Sequence, residues 1–103
     1  MFLARKEVFT WLKEGAKTID VRKGDPRQGD TAVFQSGANH LRLYIVNKEI
    51  GLLEEVVTAD NFKFVIPTAK TLEEALEYFR KLYAVSSGVF TAYYLAQTKE
   101  DSS

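Results

Sequence analysis

The stretch "EGAKTIDVRKG", residues 14–24, decides how this chain is read. Before it, residues 5–14 carry Val8, Phe9, Trp11 and Leu12 at helical spacing, and Gly15 suits the C-terminal cap of that helix. After it the period changes to two. In "KTIDVR" Ile19 and Val21 point one way, and Thr18, Asp20 and Arg22 point the other. The chain therefore goes from helix to strand at one glycine, and the strand carries charge. Residues two apart on a strand face are neighbours, so Asp20 and Arg22 can pair. Lys17 sits at the strand's mouth. Two readings stay open on these residues alone: an ion pair on a solvated face, or the floor of a cleft for a polar ligand.

Working outward, "KGDPRQGD" (23–30) is rich in turn residues. "TAVFQ" (31–35) and "HLRLYIVNKEI" (40–50) alternate as strands, the second with Leu41, Leu43 and Ile45 on one face. "GLLEEVVTAD" (51–60) reads as a short helix, and "NFKFVIPT" (61–68) is ambiguous: it alternates like a strand, but the run is short and Pro67 closes it. Residues 71–83 form the clearest helix. Thr71 and Glu74 make a T-x-x-E capping box, Leu72, Leu76, Phe79 and Leu82 form an apolar stripe aimed at the sheet, and Glu77 and Lys81 are placed to pair. "VFTAYYLAQ" (89–97) is apolar on both faces, as a central or covered strand is. The expected order is α-β-β-β-α-α-β in a mixed, mostly antiparallel sheet. A small curled sheet or partly open barrel with flanking helices fits it.

The 103 residues suit one domain, taken as 1–98, with 99–103 a frayed tail. With 46% hydrophobic and 27% charged residues the chain is an ordinary globular one. It has no cysteine, which excludes a disulfide framework or a thiolate zinc site. No apolar run reaches the ~20 residues of a membrane span, and a cytoplasmic location is expected. Net charge is zero but unevenly laid out. Residues 1–48 hold nine Lys/Arg and five Asp/Glu, and residues 49–103 hold five and nine. Such a layout can present a local basic surface.

The remaining chemistry is sparse. His40 is the only histidine and no second ligand pattern accompanies it, so no metal or other cofactor is expected. P-loop, dinucleotide and G-x-S-x-G patterns do not occur. The five tyrosines, 44, 78, 83, 93 and 94, could stack on bases, but aromatics in a small domain are more readily core.

The opening stretch resembles a known signature. "GAKTIDVR" is similar to the G-x-K-x-x-E-x-R motif of the ASCH superfamily: Gly15, Lys17 and Arg22 match, and Asp20 stands where the family usually has Glu. "QGD" at 28–30 resembles the G-D step that follows, and "IPTAKTLEEALEYFRKLYAVSSGVFTAYYL" looks like the closing helix and strand of small archaeal ASCH proteins. The resemblance covers residues 3–96. It implies a PUA-like β-barrel with the signature in a cleft between barrel and helix. It also implies RNA or a nucleotide or nucleoside as partner, with Gly15, Lys17, Thr18, Asp20 and Arg22 as ligand-binding residues. Some family members are reported as nucleases, and a bacterial branch hydrolyses acetylcytidine with a Lys, a Thr and a Glu. Lys17 matches that lysine, Asp20 stands at the threonine, and the glutamate has no counterpart. The alternative expectation is thus a small hydrolase, a ribonuclease or acetylated-nucleoside amidohydrolase, with Lys17 and Asp20 catalytic. On either reading Lys17→Met or Arg22→Leu is expected to leave the chain folded.

Overall fold

A computed structural model describes residues 2–84 and 87–97. Its elements are β1 (Phe2–Leu3), α1 (Lys6–Glu14), β2 (Ile19–Lys23), β3 (Thr31–Ser36), β4 (Asn39–Gly51), α2 (Leu53–Val56), α3 (Phe62–Val65), α4 (Leu72–Leu82) and β5 (Phe90–Ala96). The five strands form one sheet in the order β1-β3-β4-β5-β2. Only β1 and β3 run parallel; the other pairs are antiparallel. The expected tail at 99–103 lies outside the described residues.

Local chemistry accounts for the joints. Gly15 ends α1 in the left-handed conformation, φ 83°, with its N–H donated to the Leu12 carbonyl. Gly37 opens the two-residue β3–β4 hairpin at φ 61°, the positive φ that the first loop position of a II′ turn demands. In β4 a bulge between Ile45 and Asn47 switches which parity faces inward. Ahead of it Leu43 and Ile45 point in; beyond it Lys48 stands opposite Tyr93 on the inner side and Glu49 opposite Ala92 on the outer.

Two apolar clusters hold the sheet. The outer one joins Ile19, Val21, Phe90 and Ala92 to α2, α3 and α4 through Leu53, Val56, Val65, Ala75, Leu76 and Phe79. The inner one fills the curl with Phe2, Ala32, Phe34, Leu43, Tyr93 and Leu95, to which α1 adds Phe9 and Leu12. β5, between β4 and β2, serves both, which explains an apolar pattern on both faces.

Several expectations are corrected. β1 was not foreseen; two residues are too few to show a period. Residues 61–68, ambiguous by pattern, hold α3: the Ile66 N–H closes on the Phe62 carbonyl at 2.8 Å, and Asn61 pins the preceding turn by accepting from the Thr58 N–H at 2.8 Å. At the start of α4, Thr71 Oγ1 accepts from the Glu74 N–H at 3.2 Å, while Glu74 Oε2 accepts from the Lys70 N–H at 3.1 Å, one residue earlier than a reciprocal box requires. Glu77 meets Arg80, at 3.6 Å, rather than Lys81. Leu76 and Phe79 are buried as expected, but Leu82 is 40% exposed and lines the cavity that also holds Lys17.

Candidate functional site

β2 is buried on both faces. Ile19 and Val21 enter the outer cluster, and Asp20, opposite Tyr93, turns toward the inner one. Asp20 is 4% exposed and Lys17 is 4% exposed, so neither lies on a solvated face. What surrounds them is a cavity of about 410 Å³. Its floor is Lys17, Asp20 and Arg22; its walls are Leu3 and Arg5 ahead of α1, and Tyr78 and Tyr83 at the end of α4. The volume falls near the small end of ligand pockets.

Arg22 is the hub. Its Nε donates to Asp20 Oδ2 at 2.6 Å and its Nη2 to the Leu3 carbonyl at 2.8 Å. The guanidinium carbon lies 4.8 Å from the centre of the Phe2 ring. β1 and β2 are the two edges of the curled sheet, so this one side chain bridges the seam that a closed barrel would fill with ladder bonds. Nε and one Nη2 hydrogen are thereby engaged, while the guanidinium's outer edge, Nη1 with the second Nη2 hydrogen, makes no bond among the described residues. The group is 22% exposed.

Lys17 differs. Its Nζ donates to the Val65 carbonyl at the end of α3, a short bond, and forms no ion pair among the described residues. An ammonium has three donors, so two remain. Burial lowers its pKa from the ordinary 10.5 to about 8; Asp20 pulls the other way, and Arg22 adds to the lowering. Tyr78 is shifted upward, chiefly by burial, with Arg5 opposing and Glu7, Asp20 and Tyr83 reinforcing, so its hydroxyl stays a neutral donor.

Of the five residues singled out by sequence, the structure brings Lys17, Asp20 and Arg22 to one cavity. Gly15 and Thr18 line a separate hollow of about 280 Å³ on the other side of Lys17, beside Leu43 and Leu95. There Gly15 serves as helix cap, and the backbone of Thr18 joins elements: its N–H donates to the Phe64 carbonyl and its carbonyl accepts from the Leu95 N–H. Arg5 was not anticipated as a lining residue. Its one signal was a cation at the head of α1, which any solvated helix end carries. Tyr78 and Tyr83 had been grouped with core aromatics; their place at the end of α4, five residues apart, puts both rings beside the cavity. His40 is exposed near the β3–β4 hairpin, and among the described residues no cluster of His, Cys, Asp or Glu could hold a metal. Nor is any helix among them long and apolar enough to cross a membrane.

No family model matches the sequence, and no curated protein matches it. The chain is similar in structure to the crystal structure of the hypothetical protein PH0355, with a TM-score of 0.76 over 94% of this chain and 96% of that one, at 21% identity. At that identity the likeness shows the fold alone: an α+β, five-stranded curled half-barrel with flanking helices, consistent with a PUA-like fold.

Proposed function

We propose that this chain is an ASCH-type protein that binds RNA or a nucleotide in the cavity around Lys17, Asp20 and Arg22. The observation that carries the reading is the cavity's composition: three cations, one carboxylate and two tyrosine rings around a space of about 410 Å³. The cations leave a positive excess that suits a phosphate, and Arg22's outer edge is a fork for its oxygens. Tyrosine rings offer faces to a base. With net charge zero overall, affinity for nucleic acid is expected to be modest and to fall with salt.

Fluorescence anisotropy with a short single-stranded RNA at low and at physiological salt tests this. Wild type is expected to bind at low salt, and Lys17→Met to lose that binding while remaining folded. Equal binding by both proteins would remove the cavity from the reading.

Lys17 supports a second reading. A cavity lysine held at about 8 is a proton acceptor near neutral pH, as a small hydrolase needs. Asp20 is held by Arg22 and would act by orienting it. Release of acetate from an acetylated cytidine, or cleavage of the RNA used in the binding assay, by wild type and not by Lys17→Met, would favour hydrolysis over binding alone.

A further inference from the structure

We infer that the group this cavity selects is a phosphomonoester attached to a flat ring: a nucleoside monophosphate, either free or as the phosphorylated end of an RNA strand. The inference rests on the nucleotide-binding reading and narrows it. Its first ground is charge. Arg5, Lys17 and Arg22 face a single carboxylate, Asp20, so the lining carries an excess of two positive charges when Lys17 is protonated. A phosphomonoester carries about −1.5 to −2 at neutral pH, and an internal phosphodiester carries one charge. The monoester is the form that neutralises the lining.

Donor geometry points the same way. The Nε side of Arg22 is taken by Asp20 and Leu3, which leaves the outer edge of the fork. Lys17 keeps two N–H donors beyond the one on Val65. To these donors a monoester presents three terminal oxygens and a diester two, so the monoester can occupy more of them. Size is in keeping: about 410 Å³ lies in the range of pockets that take one small ligand.

Binding a dianion should also draw a proton onto Lys17, whose ammonium it would stabilise. The charged and titratable groups around that ammonium are Asp20 and Arg22 from β2, Arg5 from the head of α1, Tyr78 from α4 and Tyr83 at its C-terminal cap. α3 contributes the Val65 carbonyl, which does not titrate.

The test uses isothermal titration calorimetry with the full chain at pH 8.0. The probes are the four common ribonucleosides, their 5′-monophosphates, and a five-nucleotide RNA bearing either a 5′-hydroxyl or a 5′-phosphate. At least one monophosphate is expected to bind about tenfold or more tightly than its nucleoside, a difference of about 1.4 kcal/mol. Net proton uptake should appear when buffers of different ionisation enthalpy are compared. Arg5→Gln, which changes an exposed side chain outside the core, should weaken the monophosphate about threefold to tenfold and by more than it weakens the nucleoside. Preference for the 5′-phosphorylated RNA over the free monophosphate would assign the group to a strand end, and the reverse to a free nucleotide. A nucleoside that binds as well as its monophosphate overturns the inference. So does a 5′-hydroxyl RNA that binds as tightly as its phosphorylated twin, although RNA binding then stands. Absence of binding by every probe overturns both.

Discussion

Lys17→Met isolates the energetic effect of burying a cation without a counter-ion. In the unfolded chain the amine titrates near 10.5, and in the fold near 8. The folded pKa is the lower one. Between pH 8 and 10.5 the unfolded state therefore holds a proton that the folded state does not, so the lysine's contribution to stability rises with pH across that window. Below pH 8 both states hold the proton and the full penalty applies, about 3 kcal/mol from the separation of the two values. Met fills a similar volume without charge, but leaves the Val65 carbonyl without its donor, a loss of about 1–2 kcal/mol. The variant is expected to be more stable than wild type by about 1–2 kcal/mol at pH 7, or about 5–15 °C in Tm for a domain of this size. That advantage should vanish or reverse by pH 10.5. Urea unfolding of both proteins at pH 7, 8, 9 and 10.5 reads it directly, because groups common to both cancel in the difference. A Met variant less stable than wild type at pH 7, or a difference that stays constant from pH 8 to 10.5, would refute the reasoning.

Arg22→Leu, expected from sequence to be tolerated, should instead destabilise by about 2–3 kcal/mol, since it strands a buried Asp20 and frees the Leu3 carbonyl; the partial exposure of Arg22 keeps this below the loss at a fully buried pair. Adding Asp20→Asn should recover at least half of that loss in a denaturant titration, and no recovery would mean that the stranded carboxylate is not the cause. Phe79→Ala should lose about 3–5 kcal/mol, because the ring is 2% exposed within the outer cluster; a loss below 1 kcal/mol by thermal melt would show that α4 is not anchored there. Tyr93→Phe removes the acceptor of the Arg27 N–H, a 2.9 Å bond that ties the 24–30 loop to the sheet, and should lower stability by about 1 kcal/mol; an unchanged midpoint would show the bond to be dispensable.

Where the sequence carried a period or a punctuating residue, the reading was sound. The Gly15 cap, the parity of Ile19 and Val21, the strand at 31–35 and the two-faced β5 all follow from patterns several residues long. It failed where the signal was short or depended on distant chain. β1 has two residues, and α3 is a single turn whose apolar content mimics alternation. The helical stripe ending at Leu82 was legible as a stripe, but not that its last residue lines a cavity. The charged trio was legible as a group. The burial of Asp20 was not, because it depends on Phe2 and Tyr93, which lie 18 residues before and 73 after it. Lys17's lack of a counter-ion was equally out of reach: its partner is a backbone carbonyl, which every residue possesses.

The seam between β1 and β2 has a consequence for exchange with solvent. Phe2 is anchored in the inner cluster against Phe34 and Tyr93, whereas the residues after it are held by the short pairing with β3, by the Ala4 N–H on the Gln35 carbonyl, and by one side-chain bond from Arg22. Residues 3–5 can therefore open while β3, β4, β5 and β2 remain paired, a local event below the free energy of global unfolding. Leu3 and Arg5 belong to the cavity wall, so each opening would dismantle the pocket. Ligand occupancy and amide protection at the N-terminal segment are then two readings of one equilibrium: whatever fills the cavity should slow deuterium uptake at Leu3 and Ala4 before it changes anything in α2, which does not line the cavity.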